Sequence, residues 1–206
     1  MDHNEIVRLY GPWRSRTTDD VVELFAGYTG PWWIAGGWAI EAFTGSARPH
    51  GDIDVSIPRS DANQVRAHLR DRLDVWAAHR GDLLPLANPE RPVPETCSNL
   101  WLRVDGASPW EYDMILMDTT ATRWTYKRDP RVALAFDKIL WSRDGVDYLR
   151  PEIQLLHKAP GLRPQDQADF DAARPALSEE ASAWLRRALQ TAHPGHPWIE
   201  DLAQPG

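Results

Sequence analysis

A single cysteine, Cys97, stands in this chain of 206 residues. No intramolecular disulfide and no cysteine-based zinc centre can form from it, and a plain reduced thiol is the expectation for Cys97. No stretch approaches the ~20 apolar positions of a membrane-spanning helix. The opening segment MDHNEIVRLY also lacks the apolar centre of a signal peptide. The expectation is a cytoplasmic protein with no membrane partner. Lysine and arginine do not gather in runs. They number 23 against 30 Asp and Glu, for a formal net charge of -7 and a pI near 5.5. That balance leans against a nucleic-acid partner and suits a small cationic molecule, which an acidic cleft attracts. Internal repeats and low-complexity linkers are absent as well.

The hydrophobic share of 42% and charged share of 26% are those of an ordinary globular protein. A chain of this length forms one domain or two small ones and buries roughly 70% of its unfolded surface. Tryptophan is abundant, with 11 residues scattered from Trp13 to Trp198. Most are expected to anchor the core, and some are available to wall a pocket for a base or a sugar.

The punctuation of the chain predicts its elements. Thr17-Thr18-Asp19-Asp20 starts a helix ahead of Val21, Val22, Leu24 and Phe25. After the breaker Tyr28-Thr29-Gly30-Pro31, a short strand over 32–35 runs into Gly36-Gly37, and a helix follows until Gly45. From Asp52 to Ile57 the apolar Ile53, Val55 and Ile57 alternate with Asp52, Asp54 and Ser56, which is the period of a strand. Ser60-Asp61 opens a helix to about Arg72. Strands are expected over 75–78, 83–86, 100–104 and 110–117, with a loop between Pro85 and Pro94. The stretch 132–141 fits an extended or a helical piece. After the turn 142–145 and a strand over 146–149, Pro151-Glu152 begins a helical region with further helices over 165–173 and 178–191. The boundary falls near Arg150. The fold class is α+β: a mixed sheet with flanking helices over residues 1–150, then a helical part over 151–206.

Two features carry chemistry. The Gly36-Gly37 pair allows backbone N–H groups to approach a phosphate closely. Asp52 and Asp54 point two carboxylates to the same face of a strand, where they can hold a divalent cation. Metal-dependent nucleotidyl transfer needs an activated acceptor hydroxyl, an in-line approach to the α-phosphate and compensation of the pyrophosphate charge; two metal ions held by three carboxylates supply most of this. The third carboxylate must come from a neighbouring strand. Asp113, between Tyr112 and Met114, is the candidate, because a buried carboxylate needs a partner or a metal. Glu111 is its fallback, and a salt bridge at a sheet edge is the alternative role for Asp113.

Gly36-Gly37-Trp38-Ala39-Ile40-Glu41-Ala42 with Gly45, then Arg48-Pro49-His50-Gly51-Asp52-Ile53-Asp54 and finally Asp113, resembles the nucleotidyltransferase superfamily of polymerase-β type. Within it the segment is most similar to the aminoglycoside 2''-adenylyltransferases and the lincosamide nucleotidyltransferases. Arg150 to Ala159 with Arg163, Asp166 and Asp169 looks like the same group. The resemblance implies a nucleotidyltransferase core with magnesium, as two ions, at Asp52 and Asp54. Asp113 would be a third ligand, a general base or both, and Gly36-Gly37 would bind the triphosphate of ATP or another nucleotide. Arg48 is a candidate bidentate phosphate donor, and His50 a loop residue that orients a ligand or carboxylate. Lys158 either offsets phosphate charge or is a solvated helix lysine. Asp166 and Asp169, three apart on one helix face, either hold Lys158 or Arg163 in place or bind an acceptor amine.

The function this implies is transfer of a nucleoside monophosphate to a hydroxyl of a small cationic acceptor, with aminoglycoside and lincosamide antibiotics as natural candidates. The alternatives are a toxin-type transferase acting on tRNA or protein, and a module that binds nucleotides without catalysis. Intact carboxylates at Asp52, Asp54 and Asp113 argue against the last. A homodimer that completes the acceptor site enters by family analogy alone.

Overall fold

The computed structural model describes residues 3–204. In chain order its elements are α1 (His3–Tyr10), α2 (Thr18–Leu24), β1 (Trp33–Ile34), α3 (Gly36–Thr44), β2 (Asp54–Pro58), α4 (Ala62–Leu69), β3 (Asp74–His79), β4 (Asp82–Pro85), β5 (Asn99–Arg103), β6 (Trp110–Met117), β7 (Arg123–Thr125), β8 (Ala133–Ala135), β9 (Leu140–Arg143), β10 (Val146–Leu149), α5 (Pro151–Lys158), α6 (Pro164–Ala173), α7 (Glu179–Ala192) and α8 (Trp198–Asp201). No helix among the described residues is long and apolar enough to cross a membrane. The elements fall into two compact units. One takes the chain up to Ile34 together with Pro49–Met117; the other takes Ala35–Arg48 and the chain from Asp118 on. The helical stretch expected after residue 150 begins at α5, inside the second unit.

In the first unit the strands run in the order β4-β3-β5-β6-β2-β1. Only β2 and β6 pair in parallel; the other neighbours are antiparallel. The expected alternation of β2 holds on one face, where Ile53, Val55 and Ile57 are fully buried, but Ser56 is buried as well. Burial on both faces suits a strand in the middle of a sheet. β2 starts at Asp54 rather than at Asp52. The β3–β4 turn is a two-residue hairpin in which Arg80 and Gly81 both have positive φ (54° and 87°), a twist that matches the flanking strands. α2 begins with a capping box, in which Thr17 N–H donates to Asp20 Oδ2 (2.7 Å) while the Thr17 hydroxyl accepts Asp20 N–H (3.4 Å).

α4 stops at Leu69, short of the expected Arg72. The chain leaves the helix at Arg70 (ψ 139°), and Asp71 turns left-handed (φ 64°). Arg66 on α4 is buried. Its guanidinium donates to the carbonyls of Leu86 (2.9 Å), Asn88 (3.0 Å) and Arg91 (2.8 Å). A polar helix residue thereby ties the loop after β4 to α4 through three of its carbonyls. Trp33, Trp101, Trp110, Trp124 and Trp198 are buried, and the other tryptophans keep part of their surface exposed. Trp101 meets Trp13 and Trp110 edge to face at 5.0 and 5.5 Å. The Arg103 guanidinium lies over both Trp76 (4.6 Å) and Trp110 (4.3 Å).

In the second unit α3 ends on Gly45, whose left-handed φ of 72° closes the helix by a hydrogen bond to Glu41. The stretch 132–141 resolves into β8, a short 3-10 turn and the start of β9. The β9–β10 hairpin closes through Asp144-Gly145, again with positive φ at both positions. Pro151 occupies the first turn of α5, and the Ser178 hydroxyl caps α7 by accepting Ala181 N–H (3.2 Å). Phe170 and Trp198 stack at 4.3 Å.

Tyr126 gathers a further cluster. Its hydroxyl donates to Leu156 O (3.2 Å) and meets His193 Nε2 (2.9 Å), and its ring faces His157 at 5.2 Å. Burial, reinforced by the charges of Lys127 and Arg128, pushes the His157 pKa down to about 3. His157 Nε2 is buried with no hydrogen-bond partner. The folded state therefore resists protonation that the unfolded chain accepts near pH 6.5. The stability contributed by neutral His157 is complete above about pH 6.5 and is lost progressively as the pH falls toward 3. Urea unfolding across pH 7 to 4 is expected to show this acid-side loss, and His157→Phe, which keeps an aromatic ring and removes the titration, is expected to flatten most of it.

Candidate active site

In the first unit the strand register sets the geometry. Asp54 on β2 lies directly opposite Asp113 on β6, with Val55↔Met114, Ser56↔Ile115 and Ile57↔Leu116 following. Asp113 N–H donates to Ile53 O (3.2 Å). Paired residues of neighbouring strands send their side chains to the same face, about 4.8 Å apart in backbone. Asp52 precedes Asp54 by one pleat. All three aspartates keep part of their surface exposed, whereas Ile53, Val55 and Met114 are fully buried. Asp54 and Asp113 therefore stand side by side on neighbouring strands, with Asp52 two residues before Asp54 in the chain. Among the described residues, no three His, Cys, Asp or Glu side chains stand grouped closely enough to enclose a metal ion.

Glu111 takes a different role from the fallback ligand expected for it. The β5–β6 register passes from Leu102↔Tyr112 to Arg103↔Trp110. This leaves Glu111 as the extra residue of a β-bulge, which resets the alternation of faces. The side chain is buried between two cations, Arg14 (3.0 Å) and Arg16 (2.9 Å). Sequence reasoning missed both arginines; Trp13-Arg14-Ser15-Arg16 gave no periodic signal. Ser15 donates to the carbonyl of His50 (3.4 Å), so the same segment also holds the loop that leads into Asp52.

In the second unit Gly36 is the first residue of α3 and adopts φ 65°, a conformation that a side chain would strain. Its N–H donates to Gln154 Oε1 on α5 (2.7 Å). Gln154 was not singled out from the sequence, although an amide amid Ile153, Leu155 and Leu156 on a buried helix was a legible oddity. Gly37 follows in the first turn of the same helix.

Lys158 is not a solvated lysine. Its side chain is 7% exposed, and Nζ contacts Asp169 Oδ2 at 2.7 Å and Asp166 Oδ1 at 3.4 Å. Asp169 also takes Arg48 in a fork, at 3.0 Å from Nε and 3.1 Å from Nη2. Asp166 is forked in turn by Arg163 (2.8 and 3.1 Å) and accepts Arg163 N–H at the start of α6 (3.2 Å). Burial alone would push Asp166 up, but Arg163 and Lys158 hold it below the usual carboxylate range. Arg48 is fixed a second time through its backbone N–H, which donates to Glu41 on α3 (3.0 Å). Arg48 and Lys158, both singled out as phosphate donors, are thus joined through one carboxylate, and the Arg48 side chain keeps 32% of its surface exposed.

The sequence pattern of the aminoglycoside-2''-adenylyltransferase family matches residues 18–77, a span that contains Gly36, Gly37, Arg48, Asp52 and Asp54 and ends before Asp113. No curated protein matches the chain. Among solved structures, the lincosamide antibiotic adenylyltransferase LnuA, in its lincomycin-bound form, is similar with a TM-score of 0.54 at 18% identity, over 80% of this chain and all of that one. ANT(2'')-Ia in complex with adenylyl-2''-tobramycin has a TM-score of 0.50 at 15% identity, over 82% of this chain and 93% of that one. The solution structure of the antibiotic-resistance factor ANT(2'')-Ia has a TM-score of 0.52 at 15% identity, over 92% and 93%. The chain has the nucleotidyltransferase fold. The likeness read from residues 36–54 is borne out by the family pattern, and the α+β class by the structures.

The Asp169 hub makes a stability test. Removing the shared anion by Asp169→Asn leaves buried Lys158 with Asp166 alone and takes the fork from part-exposed Arg48, and is expected to cost about 1–3 kcal/mol in urea unfolding. Arg131→Gln breaks a short contact, 2.6 Å to Asp129, but Arg131 is 70% exposed; that change is expected to leave the urea midpoint near that of the wild type.

Proposed function

We propose that this nucleotidyltransferase-fold protein moves a nucleoside monophosphate from ATP or another nucleoside triphosphate, with magnesium, to a hydroxyl of a small cationic acceptor of the aminoglycoside or lincosamide class. The observation that carries the reading is the register Asp54↔Asp113 on adjacent parallel strands, within a chain that bears the adenylyltransferase family pattern over residues 18–77. LnuA and ANT(2'')-Ia, whose folds it shares, are antibiotic-modifying adenylyltransferases by name or by bound product.

Asp52, Asp54 and Asp113 offer the hard carboxylate oxygens that magnesium takes, with Asp54 and Asp113 side by side, and these are the residues that would hold it. Magnesium bound there supplies charge compensation for the triphosphate. Asp113 accepts the proton of the acceptor hydroxyl. The hydroxyl oxygen then forms a bond to the α-phosphorus as the bond from that phosphorus to the bridging oxygen breaks, and pyrophosphate leaves. With the Gly36 N–H held by Gln154, Gly37 in the first turn of α3 offers the positive end of the helix to phosphate. Arg48, held part-exposed by Asp169, adds positive charge toward phosphate oxygens. Lys158, held by Asp166 and Asp169, contributes positive potential from a low-dielectric position. The acidic balance of the chain favours a cationic acceptor over a polyanion.

Pyrophosphate release from ATP is expected with magnesium and at least one acceptor from a panel that includes tobramycin and lincomycin, and chelation by EDTA is expected to stop it. Absence of release with every acceptor, joined to absence of magnesium-dependent ATP binding, would overturn the reading. Asp54→Asn is expected to lower activity by more than about a hundredfold, beyond the usual cost of losing a merely supporting residue. The same variant should keep its unfolding free energy within about 1 kcal/mol, because it removes one of two like charges on neighbouring strands.

A further inference from the structure

We infer that Asn99 is a positioning residue that fixes the rotation of the Asp113 carboxylate. The inference rests on the reading of Asp113 as proton acceptor and metal ligand. Asn99 opens β5 and pairs with Ile115, so it stands one pleat along from Trp101, the residue directly opposite Asp113. Such diagonal neighbours on one face are within side-chain reach. Asn99 Nδ2 donates to Asp113 Oδ1 at 2.7 Å. A carboxylate only accepts, so the amide must present its NH2 group to Asp113, and the orientation of Asn99 follows from that chemistry.

A carboxylate turns about its Cβ–Cγ bond in a broad, shallow well. A short hydrogen bond to one oxygen removes that freedom and fixes the direction of Oδ2 as well. Asn99 can impose this because its own backbone is tied down. Cys97, fully buried, donates its thiol to Asn99 O (3.0 Å) and its N–H to Pro94 O (2.9 Å). Arg59 donates to Cys97 O, and Leu116 N–H donates to Ser98 O (2.8 Å). The lone cysteine is thus a structural support for the residue that orients Asp113.

The test combines Asn99→Ala, Asn99→Gln and Asp113→Asn. Mn2+ binding in the presence of ATP is followed by electron paramagnetic resonance, kcat and KM by pyrophosphate release, and stability by urea unfolding. Asn99→Ala is expected to weaken Mn2+ affinity and lower kcat by about 10- to 100-fold, with KM for ATP changed less than about threefold and the unfolding midpoint near that of the wild type. Asn99→Gln, which retains the NH2 donor on a longer arm, should recover part of both losses. The double variant Asn99→Ala/Asp113→Asn should be no worse than Asp113→Asn alone, since both act through one carboxylate. Wild-type Mn2+ affinity and kcat in Asn99→Ala, with Asp113→Asn impaired, would overturn the inference and leave the functional reading standing. Wild-type behaviour of Asp113→Asn would overturn the role of Asp113 itself. If Asn99→Ala does not fold, Asn99→Gln decides: losses equal in kcat and stability would mark Asn99 as structural only.

Discussion

Everything proposed for the first unit depends on one pairing, the parallel register of β2 against β6. Side chains on a strand alternate with period two, so a slip of one residue would turn every inward residue outward. Here Val55 faces Met114 and Ile57 faces Leu116, all buried. Those apolar matches leave Asp54 and Asp113 no position other than side by side. Each fully buried aliphatic side chain is worth about 1.5–3 kcal/mol, and a slip would forfeit several at once. The register is therefore held by residues that take no part in the chemistry, and the carboxylates are carried along by it.

This explains what was legible in the sequence. The apolar alternation around Asp52 and Asp54 is local information, as are the Gly36 turn, the Gly45 stop, the Thr17 and Ser178 caps and Pro151 in the first turn of α5. The strand expected over 110–117 coincides with β6, because Trp110, Tyr112 and the run 114–117 are aromatic or apolar around Glu111 and Asp113. What escaped is set by pairing between distant segments. Asn99 lies just outside the strand expected over 100–104; its meaning comes from lying diagonal to Asp113, 14 positions away. Glu111 and Asp113, two apart, were taken to share a face, and a bulge that only the partner strand reveals gave Glu111 to Arg14 and Arg16 instead. Gln154 meets Gly36 across 118 residues.

The ion pairs of the second unit separate in the same way. The spacing of Asp166 and Asp169 places both on one helix face and leaves open whether they hold Lys158 or Arg163 or bind an acceptor amine; in the structure both contact Lys158, and Asp166 takes Arg163. The fork from Arg48 to Asp169 spans 121 residues and left no trace in local pattern. Its physical consequence is larger than that of the local pairs. A buried cation is costly unless a carboxylate accompanies it, and Asp169 accompanies buried Lys158 while also holding the part-exposed Arg48. Lys158 and Arg48 are bound to move together, so a ligand that draws on one changes the electrostatic setting of the other.

The carboxylate face of the first unit shows the opposite economy. Asp54 and Asp113 repel each other, and a sheet selected for stability alone would place an opposite charge or an apolar pair there. The surrounding structure tolerates the repulsion because β2 and β6 are central strands clamped by neighbours on both sides, and because the aspartates retain access to solvent while their backbones do not move. The 2.7 Å bond from Asn99 adds direction to one of the two charges without neutralising it. Glu111, one bulge away, is instead buried between Arg14 and Arg16, where its charge serves structure.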